Sequence, residues 1–235
     1  AGSTGAVTAA ATAYVTPFKY RSGEEVKTVR PCITSAVPNM AGGETILCDL
    51  GASPDVDPSD MVRFANMGAA YAKVVCGIEE PRVGLLSNGT EDEKGPPFTK
   101  ACFPLMAEQV PGFVGNREGG DILSGSTDVV VADGFAGNVA LKSIEATAKF
   151  LLKELKRAFL GSTKGKLAAL MLKSSITELK EKLSGDARGG AILLGLKGVG
   201  ATSVEAVKNG TLAAAGMVRS DLVGHIAASI DNLVS

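Results

Sequence analysis

An α/β fold, with a mostly parallel sheet covered by helices on both faces, is what this sequence predicts. Three observations carry that expectation. Short β-branched or apolar runs recur along the chain, segments of helical period separate most of them, and glycine-rich stretches follow several runs and lead into the next helix. Strands that alternate with helices need crossover connections, and crossovers make parallel neighbours.

The chain opens on Ala1-Gly2-Ser3-Thr4-Gly5-Ala6, and the Ala-rich run to Tyr14 reads as a helix that follows a small-residue loop. A strand normally precedes such a loop, so a further N-terminal portion is expected ahead of Ala1. Strands are predicted over residues 30–36, 45–48, 82–86, 113–114, 128–132 and 191–196, each a β-branched or apolar run. Helices are predicted over 60–76, where Asp57-Pro58-Ser59 offers a cap, and over 99–109, 138–160 and 204–215. Residues 161–183 are helical and Lys-rich, with few apolar positions beyond Leu167, Leu170, Met171 and Leu179. They predict a protruding helical pair, a solvated lever or dimer-contact arm in which Glu178 and Glu181 interrupt the lysines. No linker divides the chain, so residues 1–235 read as a single domain.

Composition bounds the partners. Hydrophobic residues are 45% and charged residues 21% of the chain, a globular balance. The formal net charge of -1, from 24 basic against 25 acidic residues, supplies no general attraction to nucleic acid or anionic lipid. The longest apolar run, near 191–199, falls far short of the roughly 20 residues that span a bilayer. No export signal opens the chain, and a soluble cytoplasmic protein is the expectation. Cys32, Cys48, Cys76 and Cys102 lack metal-ligand spacing and are expected as free, mostly buried thiols; neither a metal nor a cofactor is called for.

In an open parallel sheet, ligands sit at the carboxyl ends of strands. Three loops qualify: residues 1–6, 87–95 and 133–138. The third is the sharpest, because the strand of 128–132 delivers Asp133, and Gly134-Phe135-Ala136-Gly137-Asn138 then starts a helix. One turn thus presents a carboxylate, an amide and a helix N-terminus, where an anion could be held. The lone His225 is a weaker candidate for acid–base work.

An ordered set of motifs now carries a resemblance. Residues 1–6, Cys48-Asp49-Leu50-Gly51-Ala52, Phe64-Ala65-Asn66-Met67-Gly68, the stretch from Pro81 through Lys94-Gly95, Gly115-Asn116-x-Glu118-Gly119 and Asp133-Gly134-Phe135-x-Gly137-Asn138 resemble PlsX-type phosphate acyltransferases over nearly the whole chain. The resemblance implies the three-layer α/β/α sandwich that these proteins share with phosphotransacetylases and isocitrate dehydrogenases, and a reaction that joins an acyl group to phosphate. It also implies that the first strands lie ahead of Ala1.

One segment departs from that pattern. Gly198-Val199-Gly200-Ala201-Thr202-Ser203 is closer to the Gly-Cys-Ser loop of phosphotransacetylases, and is similar to the alpha subunit of component C of glycine, sarcosine and betaine reductases. Such a subunit is expected to carry acetyl on a cysteine, and Ala201 stands where that thiol would be. Two readings stay open: an alanine put in place of the carrier cysteine, or direct attack by phosphate without a covalent intermediate. From loops and resemblance together, Asn138 and Asp133, with position 201, are the expected catalytic groups. Ser3, Thr4, Gly5, Thr90, Lys94, Gly137, Thr202 and Ser203 are expected to hold phosphate or acetyl phosphate.

The expected function is exchange of an acyl group, with a lean to acetyl, between a thioester and phosphate, within a glycine reductase-type complex. The alternatives are a long-chain acyl-carrier-protein:phosphate acyltransferase of phospholipid synthesis and a non-catalytic structural subunit. A homo-oligomer, with a second complex subunit or an acyl-carrier protein as partner, follows from either catalytic reading. NAD-dependent decarboxylating dehydrogenases share the fold, but the sequence offers neither their acidic metal cluster near Asp133 nor a Gly-x-Gly-x-x-Gly turn after a strand.

Overall fold

The structure is a computed structural model that describes residues 10, 11, 13–183, 191–198, 200, 201, 214–231, 233 and 234. Its main sheet has seven strands: β3 (Cys32–Pro38), β4 (Glu44–Cys48), β5 (Val83–Leu86), β6 (Phe113–Arg117), β7 (Val129–Val131), β8 (Ile192–Leu194) and β9 (Gly200–Ala201). They lie in the order β6-β5-β7-β4-β3-β8-β9. The first four run parallel to their neighbours, whereas β4 with β3, β3 with β8 and β8 with β9 pair antiparallel.

The mostly parallel sheet expected from the sequence is therefore corrected to a mixed one. The reason is local. Only residues 39–43 join β3 to β4, too few for a crossover, and Asn39 closes the turn by accepting from the Gly43 N–H through its side chain at 3.0 Å.

Alternation along each strand feeds two cores. Val129, Val131, Ile46 and Cys48 pack into one, Val130 and Leu47 into the other, as the two-residue period of a strand requires. On the first face lie α1 (Pro58–Cys76) and α2 (Pro97–Gln109), which contribute Met61, Phe64, Met67, Cys102 and Met106. Gly68 lets α1 sit close, since a Cβ there would fall 2.9 Å from both Cys48 Sγ and Val129 Cγ1. α1 begins at Pro58, two residues before the expected start, and the buried Asp60 carboxylate accepts from the Asp57 N–H at 3.3 Å and pairs with Arg63 at 3.0 Å.

The second face is covered by the short α3 (Asp121–Ser124) through Ile122 and by α4 (Gly134–Leu160) through Ala140, Leu141 and Ile144. α5 (Thr163–Met171) and α6 (Lys173–Leu183) confirm the helical reading of 161–183. No residue of α5 is buried, and Leu167, Leu170 and Met171 are exposed on it. α7 (Leu222–Ala228) packs Leu222 and Ile226 against the first core.

A second, three-stranded antiparallel sheet has the order β10 (Leu233–Val234), β1 (Lys19–Ser22), β2 (Glu25–Thr28). Its hairpin pairs Ser22 with Glu25 across a two-residue turn that starts at Gly23, φ +63°. The helix expected over 204–215 lies outside the described residues but for its last two; residues 214–219 are helical. Among the described residues no helix is long and apolar enough to cross a membrane, and no group of His, Cys, Asp and Glu could hold a metal ion.

Candidate functional site

β4, β7 and β5 are parallel neighbours, and the loops at their carboxyl ends meet. The loop after β4 is organised by Asp49, which is fully buried. Its Oδ1 accepts from the backbone N–H of Ile33 (2.7 Å), Leu50 (2.6 Å), Gly51 (3.3 Å) and Ala52 (3.2 Å), and its Oδ2 from Ser53 (2.7 Å). Burial pushes this carboxyl above its ordinary range, while the backbone donors pull the other way. The loop is thus a closed polar unit whose backbone donors converge on one carboxylate.

On that unit rests the first turn of α4. A Cβ on Gly134 would lie 2.7 Å from Asp49 Oδ2 and 2.8 Å from the Ser53 carbonyl oxygen, and one on Gly137 would collide with the Asp49 carbonyl oxygen. The spacing Gly-x-x-Gly is therefore a demand of close approach. Asp133 caps the helix, its Oδ1 accepting from Phe135 and Ala136 at 2.9 Å each. The Gly134 N–H goes to Ser53 and that of Gly137 to Asp133, at 3.1 and 2.9 Å. The N–H groups of Gly134, Phe135 and Ala136, three of those a helix leaves free at its start, are thus taken within the protein, and Gly137 makes the first bond of the helix's own ladder. An anion here meets side chains and the helix dipole, and no free N–H among Gly134 to Gly137.

Asn138 supplies such a side chain. It is exposed, and its Nδ2 would be 3.1 Å from a Cβ on Gly51, a residue held at φ +120°. Beside it on the sheet, the loop after β5 is tied down at Ser87, whose N–H donates to Arg117 at 2.8 Å, and at Glu91, whose carbonyl accepts from Asn116 Nδ2 at 2.6 Å and from the Lys94 N–H at 3.0 Å. Lys94 folds back over Gly89, leaving 2.7 Å between its Cγ and a Cβ placed there. Thr90 and Lys94 are both exposed.

Between the two loops opens a cleft of about 240 Å³, lined by Ser87, Asn88, Thr99 and Asp133 on its polar side. Two buried polar atoms among the described residues have no partner, Ser87 Oγ and Asn116 Oδ1. Ser87, Asn116 and Asp49 are functional candidates that the sequence reading did not single out. Ser87 opens the loop 87–95 it had marked, and Asp49 and Asn116 lie inside marked motifs; for Ser87 and Asp49 a polar residue directly after a buried strand was the available signal, whereas Asn116 lies within β6.

Asp133, Gly137 and Asn138 therefore share one helix start, and Thr90 and Lys94 lie on the neighbouring strand's loop. Ser3, Thr4, Gly5, Thr202 and Ser203 lie outside the described residues. Ala201 is on β9, opposite Ile192. Four strand spacings of about 4.8 Å separate β9 from β7, roughly 19 Å across the sheet. His225 is exposed on α7, with Nδ1 2.9 Å from the Asp221 carbonyl oxygen.

The thiols are ill suited to carry an acyl group. Cys32, Cys48 and Cys102 are buried as expected, whereas Cys76 is exposed. Burial raises Cys32 well above its ordinary value and Cys102 to about 12, and partial desolvation of its thiol with Glu44 nearby raises Cys76 to about 11 although the residue as a whole is exposed, which suppresses the nucleophilic thiolate.

The family described as fatty acid synthesis protein matches residues 1–225. The phosphate acyltransferase of Lysinibacillus sphaericus (strain C3-41) is 39% identical over 238 residues, covering 99% of this chain and 70% of the relative. That of Bacillus cereus (strain B4264) is 45% identical over 197 residues, covering 84% of this chain and 58% of the relative. A phosphotransacetylase structure from Streptococcus pyogenes superposes with a TM-score of 0.43 at 14% identity, over 90% of this chain and 56% of that one, a likeness too loose to define a shared topology.

Proposed function

Because the chain belongs to the fatty acid synthesis protein family, we propose that it transfers an acyl group from a thioester to inorganic phosphate, as the name of its phosphate acyltransferase relatives describes. What supports this reading is that the loop bearing Thr90 and Lys94, the exposed Asn138 amide and a capped helix start follow the neighbouring parallel strands β5 and β7, without an activated thiol. The chain spans about two thirds of the length of the curated relatives it matches.

The chemistry then follows from the groups present. Hydrogen phosphate is drawn by the Lys94 ammonium and the positive end of the α4 dipole, with Thr90 as a further donor. Asp133 uses Oδ1 to cap its helix, which leaves Oδ2 to accept from the phosphate hydroxyl and orient it. Asn138 donates from Nδ2 to the thioester carbonyl oxygen as negative charge grows there. A phosphate oxygen attacks the carbonyl carbon, the carbon–oxygen bond forms and the carbon–sulfur bond breaks. The proton of hydrogen phosphate ends on the departing thiolate, giving acyl phosphate and free thiol.

Of the two routes open in the sequence, direct attack is favoured by the placement of Ala201 on an edge strand and by the raised thiols. The acyl donor we infer is an acyl group borne on a carrier protein. A role within a glycine reductase-type complex draws no support from these relatives. The exposed apolar side chains of α5 make a second copy of the chain the expected partner.

Thiol release from an acyl-carrier-protein thioester, followed with and without phosphate, tests the reading. Lys94→Ala should raise the KM for phosphate, and Asn138→Ala should lower kcat by about 100-fold, the usual loss on removing one oxyanion donor. Release that ignores phosphate, or survives both substitutions, would defeat the proposal.

A further inference from the structure

The loop after β5 carries a chemical liability that the proposed reaction does not use. Asn88 is followed by Gly89, in a stretch that is neither helix nor strand. Asn88 is exposed, and among the described residues neither its side-chain amide nor the Gly89 N–H has a hydrogen-bond partner. Asparagine is a thermolabile residue, and without a Cβ the glycine nitrogen can approach the side chain that precedes it. Glycine is also what the packing demands here: a Cβ on Gly89 would lie 2.7 Å from Lys94 Cγ and 2.9 Å from Glu91 Oε2. The close approach of Lys94 thus fixes a glycine directly after an exposed, unpartnered asparagine.

We infer that Asn88 is a site of spontaneous deamidation, and that its conversion weakens phosphate binding at this loop, a consequence that rests on the proposed phosphate acyltransfer. The Gly89 nitrogen attacks Asn88 Cγ, the new carbon–nitrogen bond closes a succinimide ring, and the Cγ–Nδ2 bond breaks. The leaving amide takes the proton of the Gly89 N–H and departs as ammonia. Water then opens the ring, at Cγ to give aspartate or at the main-chain carbonyl to give isoaspartate. Either product replaces a neutral amide by a carboxylate on the side of the cleft that Asp133 also lines. It does so on the loop whose Lys94 draws the phosphate. Two like unit charges a few ångströms apart in water shift an equilibrium by about fivefold. Isoaspartate also lengthens the main chain ahead of Lys94.

Peptide mapping of the chain, held at mildly alkaline pH in water enriched in heavy oxygen, reads the conversion without reference to function. The label should enter position 88 faster than Asn39, Asn66, Asn116 and Asn138, none of which precedes glycine. Calorimetry with inorganic phosphate, on fresh and aged samples of the same protein, reads the consequence. The fully converted chain should bind about fivefold more weakly than the fresh one, and fresh Asn88→Asp should already do so. Asn88→Gln, whose longer side chain disfavours the ring, should keep its fresh affinity on ageing. That variant retains Asn209-Gly210, so a loss that persists in it overturns the assignment to position 88. Labelling at 88 no faster than at the other asparagines overturns the proposal, and labelling without loss of affinity overturns its consequence. A fresh chain that binds no phosphate defeats the proposed reaction and leaves the conversion standing.

Discussion

Gly137→Ala sets two forces of known sign against each other. In an ordinary helix interior the change stabilises by about 1 kcal/mol. Here the new Cβ would collide with the Asp49 carbonyl oxygen and lie 3.0 Å from its carbon. Those are backbone atoms of a loop locked by five hydrogen bonds to the Asp49 carboxylate, so the strain belongs near the top of the roughly 1–3 kcal/mol range for overpacking, or above it. The net expectation is a loss of about 2 kcal/mol, roughly 4–8 °C in Tm for a chain of this size. Gly161→Ala is the control, because its Cβ would meet nothing closer than 3.5 Å. Urea denaturation followed by circular dichroism reads both. Acyl transfer should fall as well, since Asn138 is the next residue and would move with the displaced turn. A Gly137→Ala protein stabilised by about 1 kcal/mol, as helix propensity alone requires, would refute the close-approach account of this turn.

Arg82 and Asp128 make a two-point contact at 2.9 and 2.8 Å that holds the Asp128 carboxyl below its ordinary value of 3.8. Its stabilisation is present above that value and lost as pH falls through the folded pKa, so Arg82→Ala should flatten the acid limb of a stability–pH profile; an unchanged limb would remove the pair from the account. Light scattering should give twice the chain mass, and Leu167→Glu on α5 should shift it toward monomer; a wild-type monomer at all concentrations would contradict this. Ala201→Cys should leave turnover within about twofold, given the roughly 19 Å between β9 and β7, whereas a gain accompanied by an acyl adduct would return position 201 to the mechanism.

What the sequence makes legible is what local pattern determines. Val129-Val130-Val131 reads as a buried strand, and Asp133-Gly134-Phe135-Ala136-Gly137-Asn138 as a strand-to-helix turn at a site, because each signal lies within a few residues. The antiparallel half of the sheet is less visible: nothing in residues 32–38 says which neighbour they take, and only the short turn at 39–43 does. The hairpin of β1 and β2 escapes notice because seven of its eight residues are not buried, so no apolar alternation marks it. In the site, Asp133 and Asn138 are readable, yet the partner of the Gly134 N–H is the carbonyl of Ser53, some 80 residues earlier in the chain. Asp49 looks in sequence like any aspartate after a strand; five converging backbone donors are a property of the folded loop alone.

The central claim is direct attack of phosphate on a bound thioester. Intact mass spectrometry of the chain incubated with an acyl-carrier-protein thioester, first without phosphate and then with it, tests this most directly. The account predicts an unmodified chain in both, no thiol release until phosphate is added, and then acyl phosphate in equal amount to the thiol. An acyl adduct on the chain before phosphate arrives would contradict it.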